Sequence, residues 1–384
     1  MGKIRYQTGL CLLCGLLLAT AGCGLQPKAK GKPPAPVTTW PVSTTPAPST
    51  GLLFKLDDKC SSPDGMCIGK DGYIYLSMNN KNTEFKDPCK IMRISPDDKL
   101  EDFCELPGHP DTKICSPLGI GFGSDGNLYV SDNQMFVKDS KPGTSRVLRI
   151  NIENGKAGKI ETVATGLNMA NGLACWGDCV FVADSTLGGE RPVFSGVYGF
   201  KISELKADNP VKVTSSGTRL FFSVYTANPD PLYQVGANGL DFDKNGNMYV
   251  CNFGDAEVLK VTFLQDISTE VNPFAWKIKF LSKSLAKGQG MLSTDGLHAD
   301  DKGNLWVADF MGNAIFKINA ETGAVTMITK NEPCKKPDCA SGHLHAPSEC
   351  IRRGNKVYVS NIDITYGPNV RHDVHTMSVI TLVK

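Results

Sequence analysis

Apolar and polar positions recur along the chain in a short repeating unit. It reads SPDGMCIGKDGYIYLSM at 62–78, SPLGIGFGSDGNLYVSD at 116–132, GANGLDFDKNGNMYVCNF at 236–253 and STDGLHADDKGNLWVADF at 293–310. Each copy has a short apolar run entered through a residue-glycine pair, a Gly-containing turn, and then alternating aromatic and β-branched positions. That order predicts two strands joined by a hairpin. From Asp64 to Tyr75, Leu118 to Tyr129, Asn238 to Tyr249 and Asp295 to Trp306 the step is eleven residues each time. In ANGLACWGDCVFVAD it is ten, from Asn171 to Phe181, and APSECIRRGNKVYVSN at 346–361 is a looser sixth copy.

Two more β-type runs follow the hairpin, for example RVLRINI and IETVAT, EVLKVTF and WKIKFLS, or AIFKINA and AVTMITK. The motif glycines 65, 119, 172, 239 and 296, with Ser348 last, stand roughly 50 to 70 residues apart, a spacing typical of solenoids and propellers. Four strands in each of six units predict an all-β, six-bladed β-propeller over 51–384. A propeller must also close its ring, or a sheet edge stays open. The C-terminal TMSVITLV can serve as third strand of the last blade, and GLLFKL at 51–56 can supply its outer strand.

The first 23 residues change the picture of where the chain works. Lys3 and Arg5 precede the apolar stretch GLCLLCGLLLATAG, which is too short and badly flanked to span a membrane and reads as a signal peptide. LATAGC at 18–23 resembles a bacterial lipobox, which implies an exported protein of the cell envelope anchored to the membrane through a lipid on Cys23. Cleavage as an ordinary secretory signal is the alternative. Residues 24–50 are rich in Pro, Thr, Ser and Lys and form a tether. Eleven cysteines follow Cys23, a set in which some disulfides are expected after export, with Cys334 and Cys339 the favoured pair. No CxxC spacing supports a metal site built from these cysteines. With 41 Lys+Arg against 39 Asp+Glu and no basic stripe, nucleic acid is not an expected partner. A monomer acting on a small molecule is.

In the predicted strand order, Asp64, Asn171, Asn238 and Asp295 enter the innermost strands from one face, here called the top, while blade two offers Leu118 and blade six Pro347 or Ser348. Two carboxylates and two amide oxygens converging on the central channel suit a hard cation, Ca²⁺ before Mg²⁺ or Zn²⁺. The competing reading is that Asn-Gly and Asp-Gly are common hairpin turns. Such turns also occur at Asp71-Gly72, Asp125-Gly126 and Asn245-Gly246, but between strands rather than ahead of the innermost one. His109, His343, His345, His372 and His375 fall in top-face links. His345, two residues before Pro347, is the candidate general base. His298, inside an inner strand, reads as a core residue. Glu349 either faces the channel as a ligand or acid/base group or packs sideways.

ANGLDFDKNGNMYV, TDGLHADDKGNLWVADF, APSEC and HTMSVITL together resemble the regucalcin, gluconolactonase and luciferin-regenerating-enzyme propellers, with paraoxonases and strictosidine synthases as more distant relatives. The resemblance implies a divalent metal held at Asp64, Asn171, Asn238 and Asp295 that polarises a lactone or ester. Asp64 stands where that family usually has Glu, and LNMANG replaces the blade-three Arg-x-Asn-Asp associated with sugar recognition. Two functions follow: a metal-dependent lactone or ester hydrolase with Asp295, His345 and Glu349 as candidate catalytic groups, or a surface-tethered binding propeller. In the second, the cation is structural and the loops 79–90, 133–146, 184–196, 331–346 and 361–375 recognise a ligand.

Overall fold

In four of the six repeats the aromatic residue of the second strand closes back onto the turn before it. Tyr75 Oη donates to Asp71 at 2.8 Å, Tyr129 to Asp125 at 3.0 Å, Tyr249 to Asp243 at 2.9 Å, and Trp306 Nε1 to Asp300 at 2.9 Å. The turn glycines Gly72, Gly126, Gly246 and Gly303 hold φ between 77° and 80°, where a Cβ is strained. Turn carboxylate, glycine and aromatic thus act together to fix the register of each hairpin.

The computed structural model describes residues 50–382 except 189–191, 218, 265, 268–277 and 337–339. The expected signal peptide and tether therefore lie outside the described residues, apart from Thr50, which already belongs to a strand. The hairpins build six antiparallel sheets whose inner strands are Pro63–Ile68, Pro117–Phe122, Ala170–Trp176, Ala237–Phe242, Leu297–Ala299 and Pro347–Arg353. We number the blades in that order. The last blade runs Pro347–Arg353, Lys356–Asn361, Thr376–Thr381, Thr50–Lys55, so the N-terminal strand closes the ring as expected.

Blade two departs from the four-stranded expectation. Its outer strand Lys156–Leu167 is long, and Val211–Lys212, from a link in blade three, pairs parallel to it as a fifth strand. The two-residue segment covers part of an edge that would otherwise expose unpaired backbone groups. The core lies between neighbouring blades. Tyr75 and Ile91 of blade one, for example, pack with Ile120, Leu128, Val130 and Leu148 of blade two.

At the axis the inner strands share a bulge. Pro63 pairs with Met78 and Met66 with Leu76, so Asp64 and Gly65 together oppose the single residue Ser77. The same shift separates Pro117 from Ile120, Ala170 from Leu173, and Ala237 from Leu240. A bulge re-aims the side chain it carries, and here it places the motif glycine of each blade against the backbone of the next. A Cβ on Gly172 would stand 2.3 Å from Asn238 O, and one on Gly239 would stand 2.6 Å from Asp295 O. Gly172→Ala is therefore expected to lower stability by about 2 kcal/mol or more in denaturant unfolding. Gly51→Ala, whose Cβ would meet nothing nearer than 3.8 Å, is expected to change it by less than about 0.5 kcal/mol.

Candidate functional site

The shared bulge brings one residue per blade to the same level of the channel: Asp64, Leu118, Asn171, Asn238, Asp295 and, in blade six, Ser348. Strand-end residues hold the links that deliver them. Asp309 accepts N–H bonds from Leu292 and Ser293, Asp184 from Asn168 and Met169, and Asp132 from Ser116. These acids were not read from the sequence as part of the site, although the repeated endings YVSD, FVAD and WVAD carry them.

At Asn171 and Asn238, two of the four expected ligands, the hydrogen bonds made leave the amide oxygen available. Asn171 Nδ2 donates to Ser185 Oγ at 3.1 Å, which leaves its amide oxygen for another partner. The Asn238 side chain hydrogen-bonds Asp295. Ser348 Oγ is turned into the wall, toward Pro63 O at 3.2 Å and Ser360 Oγ.

One level below, blade six differs from the others and corrects the sequence register. Pro347 pairs with Asn361, Glu349 with Ser360 and Cys350 with Val359. Glu349, rather than Ser348, thus occupies the position of the motif glycine. Five glycines and one glutamate ring the axis, and a Cβ on Gly296 would lie 2.5 Å from the carboxyl carbon of Glu349. Of the alternatives left open for Glu349, the channel-facing one agrees with this packing. Glu349 Oε1 accepts from Cys350 N at 2.9 Å.

The result is three half-buried carboxyl groups gathered at the axis. Burial pushes the Asp64 carboxyl up to about 7. Asp295 is raised well above the usual range by burial and then by the charges of Asp64 and Glu349. Glu349 is likewise raised by burial, with Asp64 and Asp241 adding to it. Among the described residues no Lys, Arg or His forms an ion pair with any of the three. Without a cation the group must retain protons, because buried like charges disfavour one another. An all-oxygen set of three carboxyls and two amides fits Ca²⁺ better than the nitrogen- and sulfur-preferring Zn²⁺.

His345 belongs to a second cluster. Ala346, between it and Pro347, is left-handed with φ 49°, so the chain changes direction there. The His345 ring stacks on His372 at 4.2 Å. His372 donates from Nδ1 to Asp363 at 2.5 Å and from Nε2 to the Cys334 carbonyl at 2.8 Å. With both ring nitrogens donating, it is an imidazolium, its pKa raised first by the Asp363 hydrogen bond. Burial and that neighbouring positive charge push His345 down to about 4. His345 is therefore neutral, with both ring nitrogens buried and unpartnered among the described residues.

Cys334, His345 and His372 bring ligating atoms within 4.8 Å of one another, but the two bonds of His372 leave it no lone pair for a metal. Cys339, the expected partner of Cys334, lies outside the described residues. Cys334 is itself disulfide-bonded, while nine other cysteines among the described residues are free thiols.

Below the glycines the channel widens into a cavity of about 250 Å³ lined by Cys67, Cys175, Asp241, His298 and Glu349, among others. His298 Nδ1 lies 3.2 Å from Asp241 Oδ2, so it is a satisfied residue, as read from the sequence, although it lines the channel.

No family profile matches the chain, and no curated protein does. Among solved structures, a luciferin-regenerating enzyme superposes with a TM-score of 0.51 at 15% identity, over 88% of this chain and 97% of that one. A protein assigned as a gluconolactonase gives a TM-score of 0.51 at 15% identity, over 88% and 96%. The chain shares the six-bladed propeller fold with both, and at this identity the likeness establishes the fold alone.

The carboxyl cluster has a measurable signature. The folded value of Asp64, about 7, lies above the 3.8 of an ordinary aspartate. Between those values the folded chain binds more protons than the unfolded one, so stability falls as pH rises through the window. In chelator, Tm is expected to drop by a few degrees between about pH 5 and 7.5. Saturating Ca²⁺ should remove most of that slope, and Asp64→Asn should flatten it in chelator. A slope that neither change affects would mean that these groups do not converge as described.

Proposed function

We propose that the chain is an exported, divalent-cation-dependent hydrolase of lactones or esters. The observation that supports it most is the convergence of Asp64, Asp295 and Glu349 with the amides of Asn171 and Asn238 on one short length of the axis, where the carboxyls lack a cationic partner among the described residues. Asp64, Asn171, Asn238 and Asp295 would hold the ion, with Ca²⁺ favoured over Mg²⁺ or Zn²⁺. Bound there, it would supply Lewis-acid polarisation of the substrate carbonyl.

The chain's own groups carry the proton transfers. Asp295 takes a proton from water as its oxygen bonds to the carbonyl carbon, and the carbon–oxygen bond to the leaving alkoxide breaks. Glu349, protonated through burial, returns a proton to that alkoxide. His345, the base candidate of the sequence, stacks on His372 in the separate cluster and takes no part in these transfers. The protein acts as a monomer on a small molecule, and Cys23 carries the lipid that tethers it to the envelope.

One observation favours the second reading, a tethered binding propeller with a structural cation. The segment after Asn361 reaches over the mouth, where Tyr366 Oη donates to Leu232 O at 2.6 Å and the Tyr366 ring packs edge-on to Phe310 at 5.9 Å.

The test is bound-metal analysis followed by a panel of lactones and aryl esters. Bound Ca²⁺ and turnover that falls at least about 100-fold in Asp295→Ala are expected. Bound Ca²⁺ with no turnover on any ester would leave the binding propeller, and a protein that takes up no metal would end both readings.

A further inference from the structure

The level just above the ligand ring is divided into two unlike halves. In each blade it is formed by the residue that follows the strand-end position: Asn79, Asn133, Ser185, Phe253, Phe310 and Ile362 in ring order. Their equivalence follows from shared backbone bonds. Asn79, Asn133, Ser185, Phe253 and Ile362 donate their N–H groups to Ser62, Ser116, Met169, Gly236 and Ala346, each just ahead of its inner strand. This level touches the ligand ring directly, since Asn171 Nδ2 bonds Ser185 Oγ and Leu118 packs in one apolar cluster with Phe253, Phe310 and Ile362. Blades one to three are therefore polar at this height, and blades four to six are apolar.

Two further observations show what each half lacks. On the polar side, Asn79 and Asn133 are fully buried, yet Asn79 Oδ1 and Asn133 Nδ2 have no partner among the described residues. Their other amide atoms are used: Asn79 Nδ2 donates to Ser116 Oγ and Pro117 O, and Asn133 Oδ1 accepts from Met135 N. One acceptor and one donor are left over, and a buried polar atom without a partner costs free energy until something bonds it. The apolar cluster continues outward through Tyr233 and through Phe136 of the blade-two link, whose chain neighbours Leu232 and Met135 are about half exposed at 46% and 47%. Apolar side chains thus run without a break from the surface to the ligand ring.

Resting on the hydrolase reading, we infer that the substrate is an amphipathic lactone or ester, with an alkyl or aryl portion against Phe253, Phe310 and Ile362 and one substituent that both donates and accepts a hydrogen bond, such as a secondary amide, against Asn79 and Asn133. A polyol lactone fits poorly, because half of this level offers its hydroxyl groups nothing in exchange for water.

The experiment uses the calcium-loaded full chain and a series of γ-lactones with lengthening alkyl chains, each with and without a secondary amide, alongside a sugar-acid lactone. Binding of the corresponding lactams, which resist hydrolysis, is followed in parallel by calorimetry. kcat/KM and lactam affinity are each expected to rise roughly three- to four-fold per added methylene. Phe310→Leu should reduce that gain, with Phe310→Ala reducing it further if it folds. Asn133→Asp keeps the oxygen that accepts from Met135 N and removes the free donor, and it should erase the preference for the amide series alone.

Chain-length-dependent lactam binding without turnover would uphold the substrate class while ending the hydrolase reading. Turnover that favours the sugar-acid lactone or is flat across chain length would overturn the inference with hydrolysis intact. Absence of both binding and turnover across the series would overturn it as well.

Discussion

The inner strands approach one another at the axis until backbone meets backbone, and the rest of the site depends on that approach. A methyl group at the motif glycines of blades one to five would collide with carbonyl or amide atoms of the neighbouring blade at 2.3 to 2.6 Å. Only glycine satisfies that distance, so the residue just before it, turned by the bulge, is the one each blade can present to the channel. A constraint on backbone packing thereby becomes a means of collecting side chains. Blade six uses the same place differently: Glu349 fills the gap with a carboxyl where its neighbours have nothing beyond Cα.

Two clusters of opposite character result, and each solves its electrostatics in its own way. Around Asp363 the charges are matched: a buried carboxylate accepts from an imidazolium, and the nearby His345 stays neutral. At the axis they are unmatched, because Asp64, Asp295 and Glu349 are of one sign and retain protons in the absence of a cation. Buried like charges without compensation are destabilising. This separates the axial carboxyls from the many acids that merely accept loop N–H bonds.

Much of this was legible in the sequence because the eleven-residue step from motif residue to aromatic has a physical cause, the bond from the aromatic to the turn carboxylate. That bond held the register of Asp64, Leu118, Asn238 and Asp295 wherever the step was kept. Blade six lost it: Tyr358 instead bonds Asp98 of blade one, at 2.5 Å. The register there slipped by one, and Ser348 was aligned where Glu349 stands. His345 looked close to the channel from its distance to Pro347, but a single left-handed residue, Ala346, sends it toward His372. The fifth strand of blade two was invisible because two residues carry no periodicity, and their pairing answers an exposed edge contributed by a distant segment.

The ring is closed by a strand that runs upward. Lys55 pairs with Thr376 beside the top-face histidines, and Thr50 pairs with Ile380, near the turn at the opposite end of the blade. The chain therefore enters the propeller at the rim of the lower face. Thr50, the first described residue, thus stands at the face opposite the one from which Asp64, Asn171, Asn238 and Asp295 enter their inner strands.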